Sequence, residues 1–120
     1  MTSAWPSRIL AGAFIASGVL HVVRPRVFEP LIPPALPWPT TVVVGTGVVE
    51  VVCGAGLLLG RAWAPKATAA TLLAVWPDNI WHAVRTQQSS QSPWVKAGVW
   101  ARVPMQIPLV GVALRAPTRV

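Results

Sequence analysis

Residues 41–60, TVVVGTGVVEVVCGAGLLLG, form an apolar run broken by a single charge, Glu50, near its middle. About 20 apolar residues is the length at which a helix crosses the hydrocarbon core of a bilayer. Three further apolar runs accompany it, at about 8–23 (RILAGAFIASGVLHVV), 67–85 (ATAATLLAVWPDNIWHAVR) and 94–114 (WVKAGVWARVPMQIPLVGVAL). The connections are a 24–40 segment with six prolines, a short basic turn, RAWAPK, and a polar loop, QQSSQSP. Proline inside a regular helix loses a hydrogen bond and clashes with the preceding turn, so 24–40 is expected to be a loop. The pattern predicts an all-α fold: a single integral membrane domain over 1–120, folded as a four-helix bundle with a Pro-rich interfacial loop between helices 1 and 2.

Each run carries its own detail. In the first, Gly12 with Ala16 and Ala13 with Ser17 predict a small-residue face for close helix approach, with His21 one turn beyond Ser17. Trp5 is expected to anchor this span at the interface. The Pro-rich loop is itself apolar at Val27, Phe28, Leu31, Ile32, Leu36 and Trp38, and is expected to lie on the bundle as a lid; a stiff linker is the alternative. Around Glu50, the positions on the same helical face are Thr46, Gly47, Cys53, Gly54 and Leu57, mostly small or polar, so the carboxylate is expected to point into helix packing and away from lipid. Pro77 predicts a kink in the third run and a freed carbonyl one turn earlier, for Asp78, Asn79 or water to satisfy. The fourth run carries Arg102 and Gln106 four residues apart, with prolines at 104 and 108.

Composition agrees with the membrane reading. Hydrophobic residues make up 53% of the chain and charged residues 11%, with mean hydropathy +0.56, against about 25% charged in soluble domains. The net charge of +7 could suggest nucleic acid, but the basic residues are scattered and flank apolar runs, as they do beside membrane spans, so no nucleic-acid partner is expected. Four spans put Arg8, Arg61, Lys66, Arg115 and Arg119 on one side and Arg24, Arg26, Arg85 and Lys96 on the other, which favours cytoplasmic termini. Cys53 is the one cysteine, so neither an internal disulfide nor a Cys-x-x-Cys pair can form. Arg8 and the run after it also have the outline of a signal peptide; an uncleaved first span is the expectation.

Depth gathers the polar residues. At about 1.5 Å per residue from the loop side, His21 and His82 lie ~5 Å deep, Asp78, Asn79 and Arg102 ~10 Å, and Glu50 ~14 Å, with Gln106 slightly deeper. All but Gln106 fall in the half of the bilayer under the Pro-rich loop. This predicts one polar pocket opening toward that loop, formed by His21, Glu50, Asp78, Asn79, His82, Arg102 and Gln106, with Arg102 as counter-ion to Glu50, Asp78 or both. Two acids and one arginine are short of one positive charge, which a shared proton or a protonated histidine would supply. A network that serves only to fix helix packing is the competing reading. No metal-ligand spacing, nucleophile motif or dinucleotide fingerprint is present, so no catalytic activity of its own is expected.

The ordered landmarks resemble a known family. A histidine ending the first span, Pro25, Phe28, IPPALPWP (32–39), G-x-x-E (47–50), GAGLLLGRAWAPKATAATLLAVWPDNI (54–80) and RVPMQ (102–106) are together similar to the DoxX-like small four-helix membrane proteins, over about residues 18–110. The resemblance implies a bacterial cell-membrane protein and a link to redox chemistry, since the family is named from a subunit of a thiosulfate:quinone oxidoreductase. The matching polar positions are His21, Glu50, Asn79, Arg102 and Gln106. This chain departs from the family at Asp78, where a small residue is expected, and at Val22, where an aromatic commonly follows the histidine.

The leading expectation is an accessory membrane subunit whose pocket holds a small molecule such as a quinone, or docks a redox-protein partner, with homo-oligomers compatible with it. The alternatives are haem held by His21 and His82, which is disfavoured, transport of a small solute or proton, and a purely structural assembly protein.

Overall fold

The structure, a computed structural model, describes residues 4–29, 34 and 37–118. Within them the chain forms four α-helices, α1 (Trp5–Val23), α2 (Pro39–Leu59), α3 (Ala64–Gln87) and α4 (Pro93–Leu114), with a short 3-10 turn at Pro25–Val27. Every helix has a proline in its first turn: Pro6, Pro39, Pro65 and Pro93. There the missing N–H would have had no intrahelical partner, and the fixed φ suits the helix. Reading these prolines as loop set the expected starts too late, and the helices begin one to three residues earlier. Gly60 ends α2 in the left-handed region at φ 68°, its N–H directed to the carbonyls of Gly56 and Leu57, a conformation that costs glycine nothing.

Three helices, α1, α2 and α4, are long and apolar enough to cross a membrane. The exception, α3, is the longest at 24 residues, but Lys66, Asp78, Asn79, His82 and Arg85 lower its hydropathy. Three of these, Asp78, Asn79 and His82, line a partly open cavity between the helices, so its polarity is largely turned toward the bundle.

The helices pack as two antiparallel hairpins, α1 with α2 and α3 with α4. The first is a glycine seam. A Cβ on Gly18 would lie 2.5 Å from the Gly47 carbonyl oxygen, and one on Gly54 would lie 2.8 Å from the Ala11 carbonyl oxygen, so these backbones meet directly, as small residues allow in membrane helices. The expected face was displaced: Gly12 meets nothing within 4 Å, Ala13 and Ala16 are exposed, and the buried stripe is Ala11, Phe14, Gly18 and His21.

The second hairpin is tied by side chains that reach the opposite backbone. Gln106 Nε2 donates to the Leu72 carbonyl at 2.7 Å, and Trp76 Nε1 donates to the Val103 carbonyl at 2.7 Å. Both bonds fall near the helix-interior prolines, Pro77 in α3 and Pro104 and Pro108 in α4. Gln106 of the neighbouring helix bonds the Leu72 carbonyl, one residue before Leu73, whose carbonyl Pro77 leaves without its intrahelical donor.

The apolar core gathers residues of all four helices, among them Leu10, Phe14, Leu57, Leu72 and Ala113, at the end that carries the α2–α3 turn. The polar cavity lies toward the other end. Of the expected lid, Leu31, Ile32 and Leu36 lie outside the described residues, Val27 and Trp38 are exposed, and Phe28 reaches the bundle.

Candidate functional site

The seam between α1 and α2 sets the centre of the site. Gly47 lies so close to α1 that a Cβ there would stand 2.6 Å from the Cβ of His21. This approach brings His21 Nδ1 to 3.7 Å from Glu50 Oε2. The imidazole is fixed from two further directions. Its Nδ1 donates to the Ser17 carbonyl at 2.6 Å, which assigns a proton to that nitrogen because a carbonyl only accepts. Its face stacks on Phe28, centroids 3.7 Å apart and planes inclined by 14°.

Across from this pair, α3 contributes Asp78, Asn79 and His82 and α4 contributes Arg102, and together they line a partly open cavity of about 430 Å³. Its apolar lining is Val42, Val43, Ala74, Val75 and Phe28. Thr46 also faces it, its hydroxyl already donated to the Val42 carbonyl at 2.8 Å. Six of the seven expected site residues therefore converge: His21, Glu50, Asp78, Asn79, His82 and Arg102. Gln106 does not, because it is buried and bonded to Leu72.

The expected pairing is also corrected. His21 is the group that stands beside Glu50, at 3.7 Å and without a hydrogen bond, and Arg102, exposed on the monomer, makes no ion pair with Glu50 or Asp78. Nor do Asp78 and His82, one turn apart, form a hydrogen bond. Glu50 Oε2 and Asp78 Oδ1 are both buried without a hydrogen-bond partner. Among the described residues, no three His, Cys, Asp or Glu side chains gather closely enough to hold a metal ion.

The sequence pattern of one family, described as Domain of unknown function (DUF8561), matches residues 10–117. The chain belongs to the DUF8561 family. No curated protein and no solved structure matches it. The match takes in every residue that lines the cavity.

In this DUF8561 chain the site offers two kinds of surface. Part of the lining is aliphatic, and the rest presents two carboxylates, two imidazoles, an amide and a guanidinium. A buried acceptor without a donor costs about 1–3 kcal/mol, more when charged, so Glu50 and Asp78 call for a donor from a ligand, water or a partner. Sequence reasoning did not single out Ser17, Phe28, Val42, Val43, Ala74 and Val75 as lining. A signal existed for four of them: Val43 lies seven residues before Glu50, Ala74 and Val75 lie four and three before Asp78, and Ser17 lies four before His21, all same-face helical spacings.

Proposed function

We propose that this DUF8561 chain is a multi-pass protein of the bacterial cell membrane, with α3 as its fourth crossing and its termini in the cytoplasm. In this reading it is an accessory or redox-associated subunit, without catalysis of its own. Its intramembrane cavity holds a small molecule, a quinone being one candidate, or docks a partner. The observation that carries the reading is the combination of a partly open cavity of about 430 Å³ with two buried carboxylate oxygens on its walls that have no hydrogen-bond partner. The volume lies within the ~300–1,000 Å³ of small-molecule sites, which pair an apolar lining with a few polar groups. An intramembrane carboxylate costs about 2.5–3.5 kcal/mol to insert, and such a group is retained more readily when it has something to bind. Kinship with the DoxX-like proteins belongs to the same proposal; its support is the ordered set of motifs, and it supplies the redox association.

The test is native mass spectrometry of the protein released from its own membranes, beside Glu50→Gln. A discrete small-molecule adduct on the wild type that is missing from an equally well inserted variant is the expected result. Identical adduct-free spectra for both would overturn the ligand reading and favour a structural assembly protein.

A further inference from the structure

The chemistry of the cavity wall restricts what it can hold. Its buried atoms without partners are both acceptors, Glu50 Oε2 and Asp78 Oδ1. His21 Nδ1 stands 3.7 Å from the first and is already directed to the Ser17 carbonyl at 2.6 Å. The cavity's one fixed cation among the described residues, Arg102, is exposed and pairs with neither acid. Two carboxylates and one guanidinium leave one negative charge uncompensated. A ligand whose polar atoms only accept, such as a quinone through its carbonyls, would leave both acids unsatisfied.

We infer that the cavity takes a small organic monocation, an ammonium or amidinium group carried on an apolar body, with the charged group held by Glu50 and Asp78. The inference rests on the reading of the cavity as a ligand site and names the class of ligand. Such a cation supplies several N–H donors at once, satisfies an oxygen on each side of the gap between the hairpins, and neutralises the excess charge. The apolar body lies against Val42, Val43 and Val75, away from Arg102. Hydrogen bonds to charged groups contribute about 1.5–3 kcal/mol each, so the charged ligand should bind at least about tenfold tighter than an uncharged isostere.

The experiment compares three aromatic probes of matched size by isothermal titration of the full chain in zwitterionic nanodiscs, with empty nanodiscs subtracted: 2-phenylethylamine, 2-phenylethanol and phenylacetate. The expected order is amine first, alcohol at least about tenfold weaker, and no binding of the carboxylate. Glu50→Gln and Asp78→Asn should each remove the amine's advantage and leave the alcohol unchanged. Equal affinity for amine and alcohol, or preference for phenylacetate, would overturn the inference while leaving the cavity a ligand site. Absence of binding by all three would overturn both, and water would then be what satisfies the acids. The wild-type ranking decides the matter even if a variant fails to insert.

Discussion

The glycine seam gives the sharpest test of how this bundle holds its site, through Gly47→Ala compared with Gly45→Ala. A Cβ at Gly47 would lie 2.6 Å from His21 Cβ, 2.7 Å from the Gly18 carbonyl oxygen and 3.2 Å from Val22 Cγ2, where ordinary contact begins at 3.4 Å. The first two are a Cβ and a backbone oxygen, which cannot rotate aside, so α1 must retreat from α2 by most of an ångström. A Cβ at Gly45 meets nothing within 4 Å. Replacing glycine by alanine within a helix stabilises by roughly 0.5–1 kcal/mol, and that gain is common to both variants. Their difference therefore isolates the steric term, about 1–3 kcal/mol for overpacking. Reversible unfolding in mixed micelles, followed by far-UV circular dichroism against the mole fraction of dodecyl sulfate, measures it. Gly45→Ala should be as stable as the wild type or slightly more so, and Gly47→Ala less stable. Equal stability of the two variants would refute the close approach, and with it the geometry that sets His21 beside Glu50.

Other outcomes follow from the same contacts. Gln106→Leu removes the buried bond to the Leu72 carbonyl and should destabilise by ~0.6–1.7 kcal/mol, the measured range for hydrogen bonds between membrane helices, with no change in probe binding to the cavity; lost binding would show that Gln106 belongs to the site. Trp76→Phe deletes the reciprocal bond to Val103 and should cost a similar amount by the same unfolding assay. Phe28→Ala uncovers the imidazole it stacks on and should speed modification of His21 by diethyl pyrocarbonate without altering the rate at His82; an unchanged rate at His21 would mean that Phe28 does not shield it.

Much of this arrangement was legible because helical geometry converts sequence distance into depth. Spacing from the loop side alone brought His21, Glu50, Asp78, Asn79, His82 and Arg102 to one level, and they do line one cavity. Depth says nothing about azimuth, and the errors arose there. Gln106 is the exception, since it shares a face with Arg102 but lies a turn deeper, where it bonds a backbone carbonyl instead of entering the cavity. The small residues of α1 offered more than one face, and only the three-dimensional crossing selects Ala11 and Gly18 over Gly12 and Ala16. Pairing was equally hidden, since formal charge favoured Arg102 as the partner of Glu50, whereas the Gly18–Gly47 contact puts His21 closer.

Whether the polar residues merely glue the helices can be judged by where their bonds run. If packing were their purpose, donors and acceptors would meet across the gap between the two hairpins. The closer contacts instead stay within a hairpin: His21 stands 3.7 Å from Glu50 in the first, and Gln106 bonds Leu72 and Trp76 bonds Val103 in the second. Among the described residues, the side-chain hydrogen bond that crosses from one hairpin to the other is Cys53 Sγ to Thr71 Oγ1, a weak contact at 3.7 Å and near the core end. Each hairpin thus has its own means of closing, glycines in one and reciprocal bonds to the backbone in the other. Glu50 and Asp78, one from each hairpin, are left facing a common cavity with acceptors unfilled. Two groups that contribute nothing to joining the halves, and cost free energy where they lie, support the proposal that something enters between them.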